Sequence, residues 1–260
     1  MKISKRDGRP EDYDVEKIHK VVHWATDDLN GVSLSDIEMN ANLSLYDGIP
    51  TSEIQQNLIK SANDLISESS PNYQYSAARL LNMQLRKNVW ASGKKSPAFF
   101  DFIAVRVDNG VYDPAILEKW SKEDVEKFES FINHSRDDLF TYAGLQQLID
   151  KYLVKNRSTG EMFETPQFAY MLIAMCLFDD VAEVKKAYDA YSTFKINLPT
   201  PIMAGVRTTI KQFASCVLVD VDDDLDSIFA SIHAVGKYTA RRAGIGLNMG
   251  RIRPINAPIR

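Results

Sequence analysis

Behind Asp14, the apolar residues Ile18, Val21, Val22, Ala25 and Leu29 recur at i, i+3, i+4, i+7 and i+11. That spacing puts them on one face of an α-helix and on neither face of a strand. Asp14 is of the residue type that caps such a helix. Ahead of it, residues 2–14 predict a β-hairpin turned at Asp7-Gly8, a pair suited to φ > 0 turn geometry. The capping-box pair Ser35 and Glu38 predicts a second helix that Asp47-Gly48 and Pro50 stop. A third opens at Thr51 or Ser52 and carries Ile54, Leu58, Ile59, Ala62 and Ile66 on one face. Ser70 and Pro71 then cap and start a fourth that runs to about Trp90. A hairpin with four helices in so short a stretch is a compact unit of its own.

The chain has 260 residues, enough for two modest domains and for a core that needs no disulfide or metal staple. Lys and Arg number 31 against 35 Asp and Glu, a net charge of -4. This argues against a nucleic-acid or anionic-membrane partner but leaves room for a small basic pocket. The two cysteines, Cys176 and Cys216, are too few for a disulfide framework and fit a reducing cytoplasm. The longest apolar run, 168–178, is too short to span a bilayer, and residues 1–8 lack the apolar stretch of a signal peptide. These features read as a cytoplasmic protein.

Residues 91–97, small and polar, mark the expected domain boundary. Helical patterns follow at 99–107, at 121–132 with Ser121 and Asp124 as a capping-box-like pair, and at 141–152. A turn at Gly160 and two apolar helices at 167–178 and 181–191 complete a region that reads as scaffold. His19 and His23 share a helix face, but no further ligand types stand nearby in sequence, so no metal site is expected. His134 reads as a loop histidine and Cys176 as a core thiol. From Leu198 the texture changes to short apolar runs, LPTPIMAGV and QFASCVLVDV, then a helical stretch 225–241, then GIGLNMGRI. Strands alternating with a helix indicate an α/β arrangement. Cys216 falls at a strand end beside the small Ser215; taken alone, it reads as inert packing.

Lys5 and Arg6 sit at the hairpin tip, and Lys17 lies in the first helix, whose N-terminal N–H groups favour an anion. With Lys87 they read either as an anion site or as solvated charges. The strings KRDGRPEDYDVEKI, DGIPTSEI and PNYQYSAARLLNMQLRK, in that order, resemble the ATP-cone, the allosteric domain at the N-terminus of many ribonucleotide reductase large subunits. The resemblance implies that Lys5, Arg6, Glu11, Lys17, Thr51 and Lys87 hold ATP or a deoxynucleotide effector, with or without Mg2+. Members inhibited by dATP usually carry two histidines where this sequence has Gln55 and Gln84. Glutamine cannot acquire the charge of an imidazole, so weak or absent dATP inhibition is expected. Ser52 and Gln55 also fit a local capping box, which by itself would account for Gln55.

LPTPIMAGVRT, QFASCVL and RRAGIGLNMGRIR with the closing APIR resemble the start of the ten-stranded α/β barrel of class I ribonucleotide reductases of bacterial or bacteriophage type. The implied fold is α+β: an ATP-cone over 1–92, a helical region over 93–195 and the first barrel strands over 196–260. By the resemblance, Cys216 is one of the two thiols that reduce the ribose 2'-position, and Thr200 and Ser215 hydrogen-bond the substrate. The backbone at Ala243 and Gly244 approaches that substrate closely, which a residue without a Cβ permits. A second effector site at the dimer interface is implied at Asp223, Asp224, Leu225, Arg253 and Arg260. The aspartates Asp220, Asp222, Asp223 and Asp224 read equally as a helix-starting charge cluster or a Mg2+ site.

The family's thiyl-radical cysteine, its second redox cysteine and its C-terminal cysteine pair have no counterparts among two cysteines. The resemblance therefore implies a chain inactive alone, with exposed strand surface and open edges. The expectation is a split large subunit completed by a complementary C-terminal large-subunit chain. Its further partners would be a small subunit carrying a di-iron tyrosyl radical, and thioredoxin or glutaredoxin. The alternative is a stand-alone nucleotide-sensing regulator without catalysis.

Overall fold

A computed structural model describes residues 1–41, 46–90, 95–241 and 243–258. They form two compact units, 1–102 with 126–170 and 103–125 with 171–260.

The first unit opens with the expected hairpin. Strands β1 (Lys2–Ser4) and β2 (Pro10–Asp12) pair antiparallel with Ile3 opposite Glu11. Gly8 makes the turn at φ +82°, and its N–H reaches the Lys5 carbonyl at 2.9 Å. Asp14 caps helix α1 (Val15–Thr26) by accepting from the Glu16 N–H, and Val22 and Ala25 are buried beneath. Helix α2 (Leu34–Asn40) departs from expectation. Ser33, in extended backbone, is the N-cap and accepts from Asp36 N–H at 3.2 Å. Ser35 and Glu38 lie inside the helix, and Glu38 pairs with His19 at 3.2 Å. Two overlapping Ser-x-x-acid boxes competed, and the serine with cap-type backbone took the role. The helix ends at Asn40, and Asp47-Gly48 serves another purpose: the Gly48 N–H, at φ +87°, donates to the Lys2 carbonyl at 2.8 Å. This delivers a strand that the local pattern hides, β3 (Ile49–Pro50), parallel to β1 with Ile3 opposite Ile49.

Helix α3 (Thr51–Asp64) starts where expected, but Pro50 is its N-cap with no side-chain bond, so Ser52 and Gln55 make no capping box. Gln55 is 5% exposed and donates through Nε2 to the Leu80 carbonyl at 2.9 Å. The helix stops at Asp64, which leaves Ile66 outside the buried face. Helix α4 (Tyr73–Val89) begins two residues after Pro71, with Asn72 as its N-cap. Ile3, Val22, Ala25, Ile37, Ile49, Leu58, Ala62, Ala77 and Leu80 make one closed core from β1, β3 and the four helices.

Helices α5 (Phe99–Asp108), α6 (Ala115–Lys119) and α7 (Lys122–Phe131) follow. Ser121 and Asp124 exchange backbone-to-side-chain bonds, both at 3.1 Å, in the manner of a capping box. His134 is a correction. It opens a 3-10 helix (His134–Leu139), lies edge-on to Trp90 with centroids 5.2 Å apart, and burial pushes its imidazole down to about 4. Helix α8 (Tyr142–Gln147), capped by Thr141, gives way to a wider π-type turn over Leu148–Tyr152, so the predicted single helix is two pieces. Phe168 of α9 (Pro166–Leu177) packs against Phe99 and Phe102 with centroids 4.7 and 4.5 Å away.

In the second unit, α10 (Val181–Ser192) is capped by Asp180. LPTPIMAGV, expected as a strand, holds helix α11 (Thr200–Gly205): Pro201 sits in its first turn, where a missing N–H costs nothing. Burial pushes the Cys176 thiol up to about 11, although the residue is half-buried rather than fully in the core. Strand β4 (Cys216–Asp220), helix α12 (Leu225–Ala240) and strand β5 (Gly244–Asn248) form one β-α-β unit, the strands parallel. No helix among the described residues is long and apolar enough to cross a membrane.

Candidate functional site

The hairpin tip, the first turns of α1 and α3, and the C-terminal turn of α4 converge on one cavity of about 420 Å³. Lys5, Arg6, Glu11 and Lys17 from one stretch, and the distant Thr51 and Lys87, all line it. Glu11 holds the cluster: it pairs with Lys5 at 3.3 Å and with Lys17. Lys17 and then Lys5 hold its carboxyl below the usual range, and Glu11 in turn raises Lys17. Arg6 donates to the Asn88 side chain, and burial lowers its guanidinium. Ile18, Val21, Ile54 and Leu58 add an apolar part to the lining. Sequence reading placed these four only in the core, and the helix period that revealed them carries no signal for a cavity. Gln55 lines the same space. Gln84 is not among the lining residues; its buried Oε1 has no hydrogen-bond partner among the described residues. A cavity lined both by Lys5, Arg6, Lys17 and Lys87 and by apolar side chains suits a ligand with an anionic and an apolar part.

A different arrangement surrounds Cys216. It is the first residue of β4 and is exposed, in register with Gly244 of β5, while Leu218 is in register with Gly246. Alternation puts Cys216 and Leu218 on one face, and Val217 and Val219 on the other, where they are half-buried. The thiol face is thus bordered by glycines, and a Cβ on Gly244 would stand 3.9 Å from the sulfur. Ser215 accepts the Gly244 N–H at 2.9 Å and Ala243 N–H donates to Tyr238, so the backbone amides of Ala243 and Gly244 are spent inside the fold. Close approach there depends on missing side-chain bulk rather than on free amides. Thr200 stands in the first turn of α11.

The aspartate run resolves into separate tasks. Asp224 caps α12 through the Ser227 N–H at 2.8 Å. Both carboxylate oxygens of Asp223 accept from Arg253 Nε, at 2.9 and 2.7 Å, and Arg251 pairs with Asp220 and Asp222. No group of His, Cys, Asp or Glu suited to a metal ion occurs among the described residues. Leu225 is exposed, and Arg260 lies outside the described residues.

The sequence matches three family descriptions in succession: "ATP cone domain" over residues 1–88, "Ribonucleotide reductase, all-alpha domain" over 138–211, and "Ribonucleotide reductase, barrel domain" over 214–260. It is 48% identical to ribonucleoside-diphosphate reductase 1 subunit alpha of Escherichia coli, an alignment covering 99% of this chain and 35% of the relative. Identity is 46% to the subunit alpha of Haemophilus influenzae (100% and 35% covered) and 44% to that of Enterobacteria phage T4 (97% and 34%). The chain belongs to the class I ribonucleotide reductase large-subunit family. It corresponds to the N-terminal region and spans about a third of the length of these relatives. All the cavity-lining residues fall within the ATP-cone match, and Cys216 with the β4-α12-β5 unit falls within the barrel match. Thr200 and α11 fall within the all-alpha match. The reductase fold is thus present as an ATP-cone, a helical domain and an unclosed start of the barrel.

Proposed function

We propose that this chain is the N-terminal, regulatory and partly catalytic portion of a ribonucleoside-diphosphate reductase large subunit. The functional division runs as an ATP-cone over 1–92, a helical region over 93–195 and the barrel start over 196–260. The observation that carries the catalytic reading is the exposed Cys216 thiol at the head of β4, faced by Gly244 on the parallel neighbour. Replacing the ribose 2'-hydroxyl by hydrogen breaks a C–O bond and forms a C–H bond. Water leaves, and two thiols give up two electrons and two protons to become a disulfide. Cys216 supplies one thiol; the second thiol, and the thiyl radical that activates the 3'-carbon, come from the remainder of the large subunit. Thr200 and Ser215 hold the substrate by hydrogen bonds. The remaining partners are a radical-generating small subunit with its di-iron tyrosyl site, and thioredoxin or glutaredoxin to reduce the disulfide again.

The cationic cavity supports the regulatory reading. Phosphates entering it would replace Glu11 as the partner of Lys5 and Lys17, exchanging one set of charge-assisted bonds for another. Gln55, a neutral cavity residue tied to Leu80, gives no charge to tell one nucleotide from another by protonation. ATP should therefore bind while dATP inhibits weakly or not at all. Strong inhibition of a reconstituted enzyme at micromolar dATP would overturn this. For the second effector site, Asp223, Asp224, Leu225, Arg253 and Arg260 remain the proposed residues. An effector phosphate would have to draw Arg253 away from Asp223.

The decisive experiment measures CDP reduction by this chain alone and together with a complementary C-terminal large-subunit region, small subunit and thioredoxin. Turnover is expected only in the complete mixture. Turnover by the chain without the rest, or a full complex that is inert, would refute the reading. A stand-alone nucleotide sensor has one observation in its favour, the closed core around the cavity. It would bind ATP yet leave reductase turnover unchanged when added.

A further inference from the structure

Helix α4 works on two sides. Toward the cavity it presents Lys87, and its Asn88 accepts from Arg6. On another side, Asn82 and Arg86 grip a single buried carboxylate, Asp137, which is 1% exposed. Asp137 Oδ2 accepts from Asn82 Nδ2 at 3.0 Å and from the Arg86 guanidinium at 2.6 Å, while Oδ1 accepts from Gln167 Nε2 in the first turn of α9 at 2.8 Å. The same guanidinium donates to the His134 carbonyl at 2.7 Å and lies over the Trp90 ring at 5.4 Å. One side chain thus ties α4, the 3-10 helix and α9 together.

A buried carboxylate held by a charged donor resists stretching, because parting the pair leaves an uncompensated charge out of water. Displacement of the C-terminal turn of α4 must therefore carry Asp137 with it. The seam also has spare bonding capacity: Asn82 Oδ1, Arg86 Nε, Trp90 Nε1 and His134 Nδ1 are buried without partners among the described residues. Native interiors seldom leave so many polar atoms unused in one place, and a second arrangement can satisfy some of them. Arg86 and Lys87 are adjacent, so a ligand that pulls on Lys87 and Arg6 acts directly on this seam.

We infer that Asp137 is a positioning residue that couples nucleotide occupancy of the cavity to the 3-10 helix and the N-terminal turn of α9. The inference rests on the nucleotide reading of the cavity. Hydrogen–deuterium exchange of the whole chain with and without ATP tests both. In the wild type, ATP should slow exchange at residues 5–17 and, remotely, at 134–139 and in the first turns of α9. Asp137→Asn should bind ATP within about threefold of wild type, a difference below 1 kcal/mol, and keep the local protection while losing the remote part. Gln167→Met, a milder change that serves if Asp137→Asn does not fold, should lose protection only in α9. Remote protection that survives in the variants, or is absent in the wild type beside clear local protection, overturns the coupling alone. No protection at 5–17 overturns the nucleotide reading and the coupling with it. A merely structural Asp137 would lower the melting temperature without changing which segments respond to ATP.

Discussion

The ATP-cone and the β4-α12-β5 unit are assembled from the same kinds of helices and short strands, yet one closes on itself and the other does not. In the cone, strands β1 and β3 and four helices share one core, in which Val22, Ile37, Ile49 and Leu80 are wholly buried. In the barrel unit, Leu218 is 88% exposed, and Leu225, Phe229 and Ile232 form an outward stripe at i, i+4 and i+7 along α12, with exposures of 70, 64 and 62%. Parallel strands are normally covered on both faces and flanked on both edges. A two-stranded parallel pair with one helix covers a single face. The difference teaches that local pattern makes both units, whereas closure depends on how many neighbouring elements share the core.

The largest expected effect lies on the open side. Cys216→Ser in the reconstituted reductase should reduce CDP turnover to background while ATP binding to the cone stays intact, read by steady-state kinetics beside calorimetry. Comparable turnover in the variant would remove the thiol from the chemistry. Next comes the closed core: Leu80→Ala should cost about 2–5 kcal/mol in urea unfolding. Leu218→Ala should change stability by less than about 0.5 kcal/mol, since its side chain is already in water. Similar losses for both would mean that the two regions are equally closed.

A pH experiment sharpens the comparison further. The imidazole of His134, pushed down to about 4 by burial, is neutral in the folded state and takes up its proton first in the unfolded chain. Its contribution is complete above about pH 7 and is lost as pH falls from the ordinary histidine value toward 4, by about 3 kcal/mol at most. Unfolding of wild type and His134→Phe between pH 8 and 4 should diverge over that window; parallel curves would place the imidazole in water. Smallest are the caps: Asp14→Ala in the cone and Asp224→Ala in the barrel unit should each cost about 1 kcal/mol by the same measurement.

Much of the candidate site was legible because its residues sit at positions with local signatures. Asp7-Gly8 announced the turn that carries Lys5 and Arg6, Asp14 announced the helix that carries Lys17, and Cys216 stood at the head of an apolar strand run. Residues serving two masters were harder to read. Ile54 and Leu58 belong to the core by period and to the cavity wall by position. Gln55 fits a capping box on paper, but its amide reaches the Leu80 carbonyl, twenty-five residues away in the chain. LPTPIMAGV offers a strand-like apolar run, yet Pro201 suits the first turn of a helix better.

Amino-acid order alone determined the helix faces, the hairpin, the caps at Asp14 and at Ser121 with Asp124, and the strand-end thiol, since each depends on neighbours within one or two turns of chain. Tertiary structure alone decided the third strand at Ile49–Pro50, the choice of Ser33 over Ser35 as a cap, and the meeting of Asn82, Arg86 and Gln167 on Asp137. Competing local options differ by about 1 kcal/mol, a gap that a single buried hydrogen bond or strand pairing to a distant segment can close or reverse.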